Sequence, residues 1–529
     1  MYEPIIKAGS DSPPEIRSAD VPAVGEGVVD ESSFKTLEVD RLFDSVNQSE
    51  TIIGQATLYR SLTQPLADLE SIKQKQYAVQ EIQQDKLIRE QLESLVAQAA
   101  IGENSLFRLL YGTFLGFMGK PAHSLEFEGY GYEPYKQGTR FVLNLVADAR
   151  LINRPKSDYL RGIVDQITMF ADSRWYSLMH GPAYKTERGF LTKQEKKPFT
   201  PAFIFKPTLV KPFFFIGLLA FLVFLVTFAP LSTISMSSAV IPLFMVLSIP
   251  LLGVYVPMVG TFDRDSCIYP LREGFRDSTE LESTLEALGK LDELLSLVRY
   301  GECFAGGIVM ANVSEPVATH SLFVSGAKNP ILAKQDPAYV ANDVQLDEQR
   351  LSFITGPNSG GKTAICKTIA QIQLLSQIAC PVPATSVELT VADHIFYQTP
   401  EFSSLDDGEG RFGTELKRTK QIFLSATAHS LVILDELSEG TTYEEKLETS
   451  SNVLNGFLKK GNSTVLITHN HELVDQFTNQ GIGRPLQVEF KSYKPTYRLI
   501  DGISRVSHAD RVARKIGFSK QDIEEYLKE

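Results

Sequence analysis

The chain is poor in cysteine. Cys267, Cys303, Cys366 and Cys380 are the only four in 529 residues, and none stands at the spacing of a metal knuckle or a redox pair. That excludes a disulfide framework and fits a reducing compartment. Positive charge is also scarce. Lys and Arg number 52 against 64 Asp and Glu, a formal net charge of −12, with a sequence pI near 5.4. A uniformly basic, nucleic-acid-coating protein is excluded, although a local basic groove is compatible with these totals. The first residues carry no basic segment followed by an apolar core, so no secretory signal is expected. Charge of either sign is missing altogether from Pro212 to Phe262.

That uncharged stretch contains two apolar runs, Phe213 to Ala229 and Val240 to Val259, the second with Pro242, Pro250 and Pro257. A polar hinge, Pro230 to Ser238, separates them. A membrane-crossing helix needs about 20 apolar residues, so the pattern predicts a two-helix transmembrane hairpin over residues 212–262. Lys185, Arg188, Lys193, Lys196, Lys197, Lys206 and Lys211 precede it, and Arg264, Arg272 and Arg276 follow it. The positive-inside tendency places both flanks on one face. The expectation is a two-pass membrane protein with the lipid bilayer as a partner and both termini cytoplasmic.

The remainder divides by composition. Residues 1–34, rich in Pro, Gly, Ser and acids, read as a mobile leader. Residues 35–211 read as a helical region, with one uninterrupted helix expected over 70–100, where neither Pro nor Gly occurs. Residues 263–319 read as a helical return, including an amphipathic helix over 277–300. From 320 to 529 strands and helices alternate, the pattern of an α/β nucleotide-binding domain.

Gly356-Pro357-Asn358-Ser359-Gly360-Gly361-Lys362-Thr363 fits G-x-x-x-x-G-K-[ST] between a short apolar strand, 350–355, and a helical pattern, 364–378. In that context the glycines let backbone N–H groups approach phosphate oxygens, and the helix N-terminus favours the anion. Lys362 would reach the β- and γ-phosphates of ATP, and the Thr363 hydroxyl would ligate Mg²⁺. The apolar run from Ser430 ends in Asp435 and Glu436, so a buried strand delivers two acids at its C-terminal end. Asp435 would hold Mg²⁺, and Glu436 would act on the attacking water as general base. A further apolar strand ends in His469, a place where P-loop ATPases of the ABC type, which this pattern resembles, can carry a His that senses the γ-phosphate.

These segments resemble the MutS family of ABC-type ATPases. Thr355 to Thr363 resembles the family's T-G-P-N-M-G-G-K-S, and Asp435-Glu436-Leu437-Ser438-Glu439-Gly440-Thr441 resembles D-E-I-G-R-G-T. Thr468-His469-Asn470, Ala341 to Val344 and Gly54 to Ile82 resemble further family elements. The resemblance implies an ATPase dimerising through this domain, most simply as a homodimer. Gly410, Arg411 and Phe412 of one chain would act as a signature loop completing the partner's site. It also implies duplex DNA as a partner and a role related to mismatch repair. Two departures stand against the last point. About 35 residues precede the core, too few for a mismatch-reading domain, and no basic clamp is evident between 100 and 280.

The expected architecture is thus a P-loop ATPase domain of ABC/MutS type joined to a mainly helical core with an inserted transmembrane hairpin. The expected function is that of a membrane-anchored, ATP-hydrolysing, DNA-binding protein. The alternative is a membrane organising or signalling ATPase that uses nucleotide as a dimerisation switch without nucleic acid.

Overall fold

The computed structural model describes residues 16–17, 19–114, 129–209, 211, 217, 253–304, 307–336, 338–347, 349–357, 360–400, 410–437, 442–491, 494–505 and 516–527. Helices dominate the first three hundred positions. Several begin where a short polar side chain satisfies the open N–H groups of a first turn. Thr51 caps Ile52–Thr63, Asp68 caps Leu69–Gln84 and Ser278 caps Thr279–Glu302. The single helix expected over 70–100 is two. Asp85 adopts an extended backbone, ends Leu69–Gln84, and accepts Ile88 N–H at 3.2 Å to start Lys86–Tyr111. An N-capping aspartate inside a Gln-rich helical pattern carries no Pro or Gly signature, which is why periodicity alone runs through it.

Thr279–Glu302 is the central helix of this region, with Leu281, Leu285, Leu288, Leu291 and Leu295 buried. It crosses Ile52–Thr63 so closely that a Cβ on Gly54 would lie 2.1 Å from Asp292 Oδ2, and one on Gly289 would lie 2.3 Å from Thr57 Oγ1. Two buried carboxylates converge on the N-terminus of Ile52–Thr63. Asp292 accepts Thr51 N–H and Oγ1–H, each at 2.7 Å. Glu103, from Lys86–Tyr111, accepts Ile52 N–H at 2.9 Å. Burial, reinforced by the Asp292 charge, pushes the Glu103 carboxyl up to about 7 from its ordinary 4.5.

A folded-state value above the unfolded one means that the native protein holds this proton more tightly. The stabilisation is therefore complete below pH 4.5 and is lost as pH rises through about 7. Glu103→Gln should remove that loss. Relative to wild type, the variant should gain roughly 2 kcal/mol between pH 5 and pH 8 in denaturant titrations, and parallel pH profiles would contradict the assignment.

Among the described residues, thirteen strands form three sheets. β1 (Ala183–Thr186), β2 (Gly189–Leu191) and β3 (Phe203–Phe205) make a small antiparallel sheet in the order β2-β1-β3. β4 (Asn312–Ser314), β5 (Leu322–Ala327), β6 (Asn342–Leu346) and β8 (Ser386–Thr390) make a second, ordered β4-β8-β5-β6. The largest contains β7 (Leu351–Thr355), β9 (Ile395–Gln398), β10 (Leu431–Asp435), β11 (Ser463–Ile467), β12 (Arg484–Lys491) and β13 (Lys494–Asp501). Its order is β13-β12-β7-β11-β10-β9, parallel from β12 to β9, with β13 antiparallel at one edge. β7 and β11 are buried along their whole length and β10 along all but its last residue. Continuous apolar runs are what a parallel sheet covered on both faces requires.

The helix Lys362–Gln377 joins this sheet to the helical region through buried amides. Gln371 Nε2 donates to Leu37 O at 2.8 Å, and Gln377 Nε2 donates to Leu66 O at 2.7 Å. Residues at the end of the expected leader are packed as well. Val28 and Val29 are buried, and Val28 O accepts Ile395 N–H at the β9 edge. Asp30 pairs with Arg418 at 2.7 Å.

The expected transmembrane hairpin, and with it the two-pass location, is overturned, and the expected bilayer partner finds no support. Among the described residues no helix is long and apolar enough to cross a membrane. Most of 212–252 lies outside the described residues. The end of the apolar stretch, 253–263, is helical and runs through a π-turn, Arg264–Ile268, into Tyr269–Arg276. It is fastened to the protein. Tyr255 Oη donates to Leu209 O at 2.9 Å, and buried Asp263 accepts from Tyr132 Oη at 2.7 Å and Lys211 Nζ at 2.6 Å. Gly260 lies against the Tyr130 ring. A run without charge records only that its side chains need no water, a condition that packing within the chain meets as well as lipid does.

Candidate nucleotide site

The site forms where β7, β10 and β11 end on the same side of the sheet. After β7 the chain turns through Gly356 (φ 130°), and Gly361 (φ 80°) is the N-cap of Lys362–Gln377. Both angles lie in the region that only glycine adopts without strain. Asn358 and Ser359 lie outside the described residues; Pro357 O accepts Gly360 N–H at 3.0 Å. A Cβ on Gly360 would sit 3.3 Å from Val488, so the loop is seated against β12.

Lys362 is buried, and its ammonium donates to Gly356 O across the loop. Burial lowers its pKa from the ordinary lysine value, opposed by the charges of Glu436 and Asp435. Thr363 Oγ1 donates to Asp435 Oδ2 at 3.2 Å, so the hydroxyl expected from the loop and the acid expected from β10 meet. Two neighbouring hard oxygen donors beside a phosphate cradle suit Mg²⁺, which keeps water and phosphate oxygens in its remaining positions.

Glu436 follows at the end of β10 with φ 58°, a left-handed backbone for a residue with a side chain, of a kind that costs about 1–3 kcal/mol. Its N–H donates to Ile467 O at 2.9 Å, which ties the turn to β11. The carboxylate is buried. Oε1 accepts His469 N–H at 3.0 Å, and Oε2 lies 3.4 Å from Lys446 Nζ. The His469 ring places Nε2 3.3 Å from Lys362 Nζ and 3.7 Å from Glu436 Oε1. Thr468 N–H donates to Ile354 O, and Asn470 caps the following helix, His471–Thr478, so His469 is fixed from both sides. Lys362, Thr363, Asp435, Glu436 and His469, far apart along the chain, thus converge on one site.

Gly410, Arg411 and Phe412 do not join them. They begin the helix Gly410–Ser425, which packs on β9 through Gln398 and Thr419 (3.0 Å), three strands from β7. Two neighbours of the site are given no role in it by sequence reading. Lys446 stands ten positions after Glu436, in the first turn of Tyr443–Lys460. Tyr497, with a left-handed backbone (φ 60°), would lie 3.3 Å from a Cβ on Gly361. Lys446 belongs to no motif, whereas Tyr497 opens the Tyr497-Arg498-Leu499 segment that resembles a family element; only the fold brings the two beside the site.

Residues 352–527 match the family model described as MutS domain V. The chain is 30% identical over 256 residues to the DNA mismatch repair protein MutS of Prochlorococcus marinus, covering 46% of this chain and 28% of that protein. It is 31% identical over 255 residues to endonuclease MutS2 of Thermus thermophilus, covering 47% and 33%. It is 32% identical over 249 residues to the DNA mismatch repair protein msh3 of Aspergillus terreus, covering 44% and 21%. The matched stretch thus spans a third or less of each of these relatives.

Proposed function

From the premise that this chain belongs to the MutS family, we propose that it is a Mg²⁺-dependent ATPase that dimerises through this domain and acts on DNA. The observation that carries the reading is the convergence of Lys362, Thr363, Asp435, Glu436 and His469 at the ends of three adjacent strands. Lys362 and the loop N–H groups bind the β- and γ-phosphates of ATP. Thr363 and Asp435 hold Mg²⁺, whose charge, when bound, offsets that of the phosphates. Glu436 orients water and takes its proton, while His469 holds Glu436 through its N–H and lies within reach of the γ-phosphate through its ring.

Dimerisation rests on the resemblance of the chain to this family, in which Gly410, Arg411 and Phe412 stand at a signature loop. Those residues complete a second subunit's site, so that ATP closes the dimer and hydrolysis releases it. The link to DNA and to mismatch repair rests on the names of the relatives, two of which are mismatch repair proteins and one an endonuclease.

Lys362→Ala should weaken ATP binding at least about tenfold in equilibrium titration, because it removes the charge-assisted contact to the phosphates. Gel shifts at several salt concentrations, with and without ATP, address DNA. Binding should weaken steeply as salt rises, and absence of any shift at low salt would sink the DNA part while leaving the ATPase intact.

A further inference from the structure

We propose that Lys446 is a positioning residue that holds the Glu436 carboxylate for catalysis, an inference that rests on the ATPase reading of this site. Lys446 is the fourth residue of Tyr443–Lys460, directly after Glu444 and Glu445. Acids suit the partial positive charge of a helix N-terminus, and a cation there is disfavoured. Lys446 nevertheless turns its side chain inward, 21% exposed, to place Nζ 3.4 Å from Glu436 Oε2. The contact answers a need of the carboxylate. Glu436 is 8% exposed in its side chain, and a buried carboxylate needs donors on both oxygens.

His469 N–H serves Oε1 at 3.0 Å, and Lys446 serves Oε2. The two donors come from different elements, the turn after β11 and the helix that follows 438–441. Between them they fix the plane of the carboxylate. Glu436 sits on a left-handed turn at a strand end, so its backbone alone leaves the side-chain torsions to be set by such contacts. A base works only when one oxygen is held toward the water it activates. Lys446 therefore acts through Glu436, leaving the phosphates to Lys362.

The test is steady-state ATP hydrolysis by the full chain with Mg²⁺, comparing wild type, Lys446→Met, Lys446→Arg and Glu436→Gln. Lys446→Met should lower kcat about tenfold and leave KM for ATP within about twofold, while Lys446→Arg should return kcat to within about threefold of wild type. If Lys446→Met melts below the assay temperature, Lys446→Gln supplies the same comparison with a neutral side chain of similar reach. The inference is overturned if kcat of Lys446→Met equals wild type, if only KM changes, or if the Arg variant is as impaired as the Met variant. An inactive wild type, or a Glu436→Gln variant as fast as wild type, would overturn the ATPase reading together with it.

Discussion

Glu436→Gln should bind ATP as tightly as the wild-type protein and turn it over at least about a hundredfold more slowly, the usual contribution of a positioned general base. The substitution is well matched to the site. A glutamine keeps the volume of the side chain and an oxygen to accept the His469 N–H, which lies 3.0 Å from Oε1. It tolerates the left-handed backbone no worse than glutamate does. It loses the capacity to take a proton. Binding and turnover should therefore separate, with the dissociation constant within about twofold of wild type and kcat collapsed. Nucleotide titration and steady-state hydrolysis on one preparation measure both. Unchanged turnover would remove Glu436 from the role of base.

The turn through Gly356 and Gly361 is legible in the sequence because its backbone requirement is local. Gly356 and Gly361 take the backbone angles that other residues resist, and Lys362 opens the helix that the spacing predicts. Asp435 and Glu436 are legible because an apolar run that stops at two acids has few physical meanings, and β10 ends between them. Lys446 is not legible. Its contact depends on where a helix ten residues downstream is laid, and nothing in a Tyr-Glu-Glu-Lys sequence distinguishes a lysine turned inward from a solvated one. The apolar stretch before 262 misleads for a related reason. Hydropathy measures what a segment avoids, whereas Tyr255, Gly260 and Asp263 show what its end contacts: Leu209, the Tyr130 ring, and both Tyr132 and Lys211. The break at Asp85 escapes periodicity because a cap is a property of one side chain and a helix pattern is an average over many.

Lys75→Met should cost about 3–5 kcal/mol of stability, because it leaves a buried charge alone. Lys75, on Leu69–Gln84, and Glu293, on Thr279–Glu302, form an ion pair of 2.6 Å with side chains 4% and 1% exposed. The loss should appear in denaturant midpoints with little change in slope. Removing both charges should behave differently, since two buried ions replaced by apolar groups of similar volume are often neutral or stabilising. Lys75→Met combined with Glu293→Leu should therefore recover to within about 1 kcal/mol of wild type. A double variant as unstable as the single one would show that the pair contributes net stability. Recovery would assign it to specificity instead, and its position makes that meaningful. One residue on, Gln76 Nε2 donates to Ala311 O at 3.0 Å, in the segment that enters β4. Lys75 and Glu293 thus join two long helices beside the segment that leads into β4, where a shift in their register would be felt.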